Sequence, residues 1–219
     1  MLPGLVIFDC DGVLVDTERI QVRVESRVLT ELGWPITAGE VVERWMGRAS
    51  EFQLGEVSER LGPTAAREYD ARSTAEAHAA FDNELTEVEG ISALVDVVEA
   101  AGISTCVASS GSHARILRTL GITGLFDRFA GRIFSGTEVP HGKPAPDLFV
   151  VAAKAMDVPP ERCVVIEDSL YGVRAGVTAG MRVIGYAGGL VAPDSLAAEG
   201  AEVVDQMAHV PALLGLSQR

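Results

Sequence analysis

Leu5-Val-Ile-Phe8 is an unbroken apolar run that stops abruptly at Asp9-Cys10-Asp11-Gly12. An apolar run without polar alternation, closed by turn residues, reads as a strand buried on both faces. The pattern then changes period. From residue 17 to about 84 nothing reads as a strand. Ile20, Val24, Val28 and Leu32 recur every four residues, and Gly33 supplies a stop. Thr37-x-x-Glu40 and Ser50-x-x-Gln53 have the spacing of capping boxes, and residues 64–84, rich in Ala, Glu and Arg, predict a further helix after Pro63. From Gly90 onward helices and strands alternate. Helices are expected around 92–101, 113–120, 146–156 and 170–179, and strands at 104–108, 132–135, 163–166, 181–186 and 202–204. Such alternation makes βαβ units and a parallel sheet with helices on both faces. The expected fold is α/β: a doubly wound parallel sheet built from residues 1–16 and 85–219, interrupted by a helical domain of residues 17–84.

Three of the strand-like runs finish in polar residues: Asp9 and Asp11 after the first, Ser109 after the second, Glu167 and Asp168 after the fourth. Between the last two sites lies Gly142-Lys143-Pro144-Ala-Pro146-Asp147, a rigid turn that presents one lysine just before a helix. Each piece alone has a plainer reading. A Ser at a strand end is commonly a turn or N-cap residue, a lone Lys is usually a solvated charge, and Glu-Asp caps the helix that follows. In an open α/β sheet, however, these ends meet in one crevice beyond the carboxyl edge. Several carboxylates there are costly to desolvate unless a cation compensates, and a hard divalent metal suits them.

That set points to phosphoryl transfer. Asp9, nearest the strand end, is the expected nucleophile, splitting one displacement into two through an aspartyl-phosphate. Asp11 is the expected acid and base, protonating the leaving oxygen and then accepting a proton from water. Asp168 with Asp9 is expected to anchor Mg²⁺, with Glu167 helping directly or through a water. Lys143 would neutralise charge in the transition state, and Ser109 would bond a phosphoryl oxygen beside backbone N–H groups near Asp11 and Ser110.

Composition narrows the partners. The 219 residues are 47% hydrophobic and carry a formal net charge of −13, which argues against nucleic acid and makes a local cationic site necessary for an anionic substrate. No apolar run is long enough to span a bilayer, and no basic region precedes the first one, so no membrane association and a cytoplasmic location are expected. Cys10, Cys106 and Cys163 sit in or beside strand-like runs and read as buried free thiols. His113 and His141 lack partners at metal-ligand or triad spacing, and Gly188-Gly189 lacks the spacing of a nucleotide loop. A monomer and a homodimer are both compatible with this composition.

The chain resembles the haloacid dehalogenase (HAD) superfamily along nearly its whole length. The resemblance rests on Asp9-Cys-Asp11-Gly12-Val-Leu-Val-Asp16, Ser109, Lys143 and Glu167-Asp168-Ser169-Leu-Tyr-Gly172. It implies a Rossmann-like core with a helical cap inserted after the first strand, and Mg²⁺ bound with help from the backbone carbonyl at Asp11. It also implies a nucleophilic Asp9, an acid/base Asp11, phosphoryl contacts from Ser109 and Lys143, and metal anchoring by Asp168 with Glu167. Asp11 counts against carbon–halogen chemistry, because the dehalogenases of the superfamily lack a second aspartate. The absence of lysine from residues 17–84 counts against a Schiff-base mechanism. In cap size the chain is similar to the β-phosphoglucomutase-like branch, whose histidine in the cap is matched here by Gln21, which cannot ionise. The cap arginine of that branch falls near Arg48. Phe81-Asp-Asn-Glu84-Leu85-Thr-Glu-Val-Glu89-Gly90 looks like a segment of bacterial sugar-phosphate phosphatases. The expected activity is Mg²⁺-dependent hydrolysis of a small phosphorylated metabolite, a sugar phosphate or phosphorylated sugar acid. Gln21 and Arg48 are the expected substrate contacts of the cap, and a β-phosphoglucomutase-like phosphosugar mutase is the alternative.

Overall fold

The computed structural model describes residues 2–45 and 50–216. The chain divides into two compact units, one of Met1–Asp16 with Thr86–Arg219 and one of Thr17–Leu85. In chain order the elements are β1 (Leu5–Phe8), α1 (Thr17–Glu31), α2 (Ala38–Trp45), α3 (Ser50–Leu61), α4 (Pro63–Glu84), α5 (Ile91–Ala100) and β2 (Ser104–Ser109). These are followed by α6 (His113–Ile122), α7 (Phe126–Phe129), β3 (Ile133–Ser135), α8 (Asp147–Ala155), β4 (Cys163–Glu167), α9 (Leu170–Thr178), β5 (Arg182–Tyr186), α10 (Pro193–Ala198), β6 (Glu202–Val204) and α11 (Val210–Leu213).

The larger unit is a six-stranded parallel sheet of order β3-β2-β1-β4-β5-β6. All four residues of β1 are buried, as a central strand covered on both faces requires. Leu5 and Ile7 face one layer, where Leu148, Phe149, Ala152 and Ala153 of α8 and Val173 and Ala175 of α9 complete a core cluster. Phe8 faces the other layer and meets Phe129 of α7 edge-on, with ring centroids 5.9 Å apart. Each fully buried aliphatic or aromatic side chain of this kind contributes about 1.5–3 kcal/mol.

Register sets the chemistry. Phe8 is level with Val107 on one side and Ile166 on the other, and Ser109 is level with Ser135. The residues just past Phe8, Val107 and Ile166 therefore arrive at the same edge. The chain runs outward from β1 through β2 to β3, then returns to β4 on the opposite flank of β1. That reversal leaves a crevice outside the carboxyl ends of β1 and β4, the usual ligand position in such sheets.

The smaller unit is wholly helical. Thr37 and Glu40 form the expected reciprocal capping box: Glu40 N–H donates to Thr37 Oγ1 at 3.2 Å, and Thr37 N–H to Glu40 Oε2 at 2.8 Å. The second expected box begins at Ser50, whose side chain lies outside the described residues; Gln53 Nε2 donates instead to Glu25 and to the Tyr69 hydroxyl. Trp34 and Trp45 are buried against each other at 87°, centroids 5.5 Å apart. Leu85 belongs to this unit rather than to the sheet, because its N–H donates to Phe81 O and closes α4. Among the described residues no helix is long and apolar enough to cross a membrane.

Phe129→Ala is expected to destabilise the chain by about 3–5 kcal/mol in urea unfolding, the cost of a buried aromatic truncation. A loss below about 1 kcal/mol would contradict the packing of Phe129 against Phe8.

Candidate active site

The carboxyl edge of the sheet collects Asp9, Ser109, Lys143, Glu167 and Asp168. Asp9 follows β1 and continues its ladder, donating its N–H to Ile166 O at 3.0 Å. Lys143 comes from the turn between β3 and α8, where the Lys143–Pro144 peptide is cis. Its ammonium donates to Asp9 Oδ1 at 2.5 Å, Glu167 Oε1 at 2.6 Å and Ala108 O at 3.0 Å, and lies 4.9 Å from the centre of the Phe149 ring. The Lys143 side chain is only 4% exposed. One buried ammonium thus ties together β1, β2 and β4.

Glu167 ends β4 and is almost fully buried. Its Oε2 accepts from the Ser169 N–H at 2.8 Å and the Ser169 hydroxyl at 2.9 Å. Ser169 in turn caps α9 by accepting from Gly172 N–H. A Cβ at position 172 would come within 1.8 Å of Glu167 Oε1, so the carboxylate occupies space that only glycine leaves. Both Glu167 oxygens are engaged by Lys143 and Ser169. In this structure Glu167 thereby holds Lys143 in place.

Ser109 closes β2, is buried, and accepts from Gly111 N–H at 3.1 Å, while Ser110 beside it is exposed. Ser135 at the end of β3 supports this loop by donating its hydroxyl to Gly111 O at 2.7 Å. Asp11 sits one turn beyond Asp9, and its carboxylate is bonded by Arg115 of α6, a residue the sequence pattern did not single out. His113 pairs with Glu138 at 2.9 Å and His141 with Asp147 at 3.1 Å, so both serve loop contacts. Gln21 donates to Glu25 within the helical unit, and Arg48 lies outside the described residues.

Electrostatics follow from burial. Desolvation, opposed by Lys143 and aided by the Glu167 and Asp11 carboxylates, raises the Asp9 carboxyl to about 8. Burial alone would lower the Lys143 ammonium, but Asp9 and Glu167 override it and hold the group above its ordinary value. Three buried carboxylates, Asp9, Glu167 and Asp168, therefore share the edge with one buried ammonium. Such a cluster is short of positive charge, and a divalent cation would make it good. Asp168 fits that use. Its Oδ2 lies where a Cβ on residue 12 would come within 1.9 Å, and residue 12 is a glycine at φ +80°, so the carboxylate reaches the Asp9–Gly12 turn. Among the described residues no three His, Cys, Asp or Glu side chains form a metal-binding group. A site with one or two carboxylates and all-oxygen donors suits Mg²⁺, which keeps several waters.

Residues 3–180 match the family model of the haloacid dehalogenase-like hydrolases. The chain is 36% identical over 179 residues to the 6-phosphogluconate phosphatase of Escherichia coli, covering 81% of this chain and 80% of that one. It is 32% identical over 180 residues to the phosphorylated carbohydrates phosphatase of Thermotoga maritima, covering 82% of each. Among solved structures, a haloacid dehalogenase-like protein of Agrobacterium tumefaciens superposes with a TM-score of 0.87 at 34% identity, over 97% of both chains.

Lys143→Met and Asp9→Asn are expected to move stability in opposite directions near neutral pH. Removing the ammonium leaves the buried Asp9 and Glu167 carboxyl groups without their cation and costs about 3–5 kcal/mol in urea unfolding. Asp9→Asn leaves one ammonium facing one carboxylate and raises the melting temperature. The sign depends on pH. Burial raises Asp9 from 3.8 toward about 8 on folding, so the wild type loses stability as pH rises through that window. The advantage of Asp9→Asn should therefore grow from pH 5 to 8, and an advantage that shrank over that range would contradict the assignment.

Proposed function

Because the chain belongs to the haloacid dehalogenase-like hydrolases, we propose that it is a Mg²⁺-dependent phosphatase that hydrolyses a phosphorylated carbohydrate or sugar acid through an aspartyl-phosphate at Asp9. The observation that carries this reading is the buried Lys143 ammonium held between Asp9 and Glu167 at the carboxyl edge of the sheet. Lys143 fixes one Asp9 oxygen, which orients the other for attack on phosphorus. As the Asp9–phosphorus bond forms, the ester P–O bond breaks and the leaving alkoxide takes a proton from Asp11. Water then attacks phosphorus and gives a proton to Asp11, the bond to Asp9 breaks, and inorganic phosphate leaves with the starting residues restored.

Ser109, whose Oγ already accepts from Gly111 N–H, has its own hydroxyl proton to donate to a phosphoryl oxygen. Lys143 offsets the charge that gathers on phosphoryl oxygens, at a point where water is excluded and such a charge counts for more than in bulk. Asp9, Asp168 and the Asp11 carbonyl oxygen would hold Mg²⁺, which neutralises phosphate charge and orients the ester when bound. The two curated relatives named above, at 36% and 32% identity, support the carbohydrate class. Gln21 supports hydrolysis over mutation: its amide is donated to Glu25 and carries no titratable proton.

Phosphate release from a panel of sugar phosphates and phosphorylated sugar acids tests the reading. Release should require Mg²⁺, stop with EDTA, and fall at least about 1,000-fold in Asp9→Asn, the scale of losing a covalent nucleophile. No release across the panel, with a sugar 1-phosphate converted to its 6-phosphate once a bisphosphate is added, would overturn it in favour of a mutase. Mg²⁺ alone should raise the melting temperature of the wild type but not of Asp168→Asn. An equal rise in both would remove Asp168 from the metal site.

A further inference from the structure

Arg115 is the feature of the carboxyl edge that the phosphoryl-transfer scheme leaves unused. It lies in the first turn of α6, directly after the Ser109–Ser112 loop, and 104 positions from Asp11. Its Nη2 donates to Asp11 Oδ1 at 3.1 Å and its Nε to Asp11 Oδ2 at 3.4 Å, with the two side chains 28% and 25% exposed. Exposure at that level would make an ordinary surface ion pair worth little. The fork changes this, because one planar guanidinium addressing both oxygens fixes the plane of the carboxylate as well as its position. The helix that carries Arg115 is itself anchored: Ser112 caps it through Arg115 N–H, and Thr119 Oγ1 donates to Arg115 O.

We propose that Arg115 is a positioning residue for proton transfer by Asp11. The shorter bond keeps Oδ1, and the longer one at 3.4 Å is the one given up, so that Oδ2 delivers the proton to the leaving oxygen and later takes one from water. Arg115 neither touches phosphorus nor forms a bond in either step. A leaving alkoxide needs that proton, whereas 4-nitrophenolate leaves readily without it. Loss of Arg115 should therefore discriminate between esters by their leaving groups. This rests on the hydrolase reading above.

The test is kcat/KM for a sugar phosphate and for 4-nitrophenyl phosphate in the wild type, Arg115→Met and Arg115→Lys. Arg115→Met should lose about tenfold or more on the sugar phosphate, within the usual range for acid–base assistance, and less than about threefold on the aryl ester. That aryl activity also reports that the variant is folded. Arg115→Lys, which cannot fork, should recover part of the loss in kcat with KM unchanged. Equal losses on both esters would overturn the proposal and make Arg115 a ligand of the phosphoryl group. No loss on either would make the pair functionally idle.

The pair has an independent readout in the Arg115 Nε–H resonance, assigned by its disappearance in Arg115→Met. It should move in Asp11→Asn, and an unmoved resonance would overturn the pairing in solution. A wild type inert toward every ester, with that resonance still responding to Asp11→Asn, would sink the hydrolase reading and the role with it. An active wild type with a flat leaving-group response sinks the role alone.

Discussion

The Lys143 ammonium is shared by two carboxylates that arrive on different strands, and the rest of the site is arranged around that sharing. Three donor bonds to Asp9, Glu167 and Ala108 O use the full capacity of an ammonium, and the Phe149 face lies beside it. Burial makes the ammonium indispensable to its partners: removing it leaves the Asp9 and Glu167 carboxyl groups without their cation in a buried place. The pair Ser169 and Gly172 then holds Glu167 from behind, the first by hydrogen bonds and the second by having no side chain.

This arrangement depends on the sheet being parallel. Parallel strands deliver their carboxyl ends to one edge, and the order with β1 beside both β2 and β4 puts Asp9 between Ser109 and Glu167. The helices that follow β2 and β4 begin at the same edge and are capped there by Ser112 and Ser169. Carboxylates gathered on such an edge raise one another's proton affinity, which costs stability near neutral pH. The same crowding would favour a divalent cation, which would offset the charge of an anionic phosphoryl group. The net charge of −13 thus coexists with an anion-binding function, because the compensation is local.

Much of this was legible in the chain. β1 announced itself because a strand buried on both faces is apolar throughout, and Asp9 because the run stops there. The Thr37–Glu40 box was legible because its bonds are local. β4 extends one residue further than its apolar run, to Glu167, because a charge paired with a buried ammonium is tolerated inside a strand. The Lys143–Glu167 bond was not legible for the same reason: spacing shows a carboxylate at an edge but not which cation it faces. Gly172 stood in the sequence only as the end of the Glu167–Gly172 run, and its purpose appears only when the Glu167 carboxylate fills the space beside it. Arg115 carried no local signal, since a cation on a helix is ordinary and its partner is 104 positions away. The short helix α10 over Pro193–Ala198 has too few residues for a periodic pattern to show.

Rapid-quench mass spectrometry of the intact chain would show whether Asp9 becomes covalently phosphorylated. On mixing with Mg²⁺ and a hydrolysed sugar phosphate, then quenching in acid, a fraction of the chain should gain one phosphoryl group. Proteolysis should place that group on the peptide holding Asp9, and Asp9→Asn should gain none. Steady phosphate release without any labelled chain, or a label on another residue, would contradict the account.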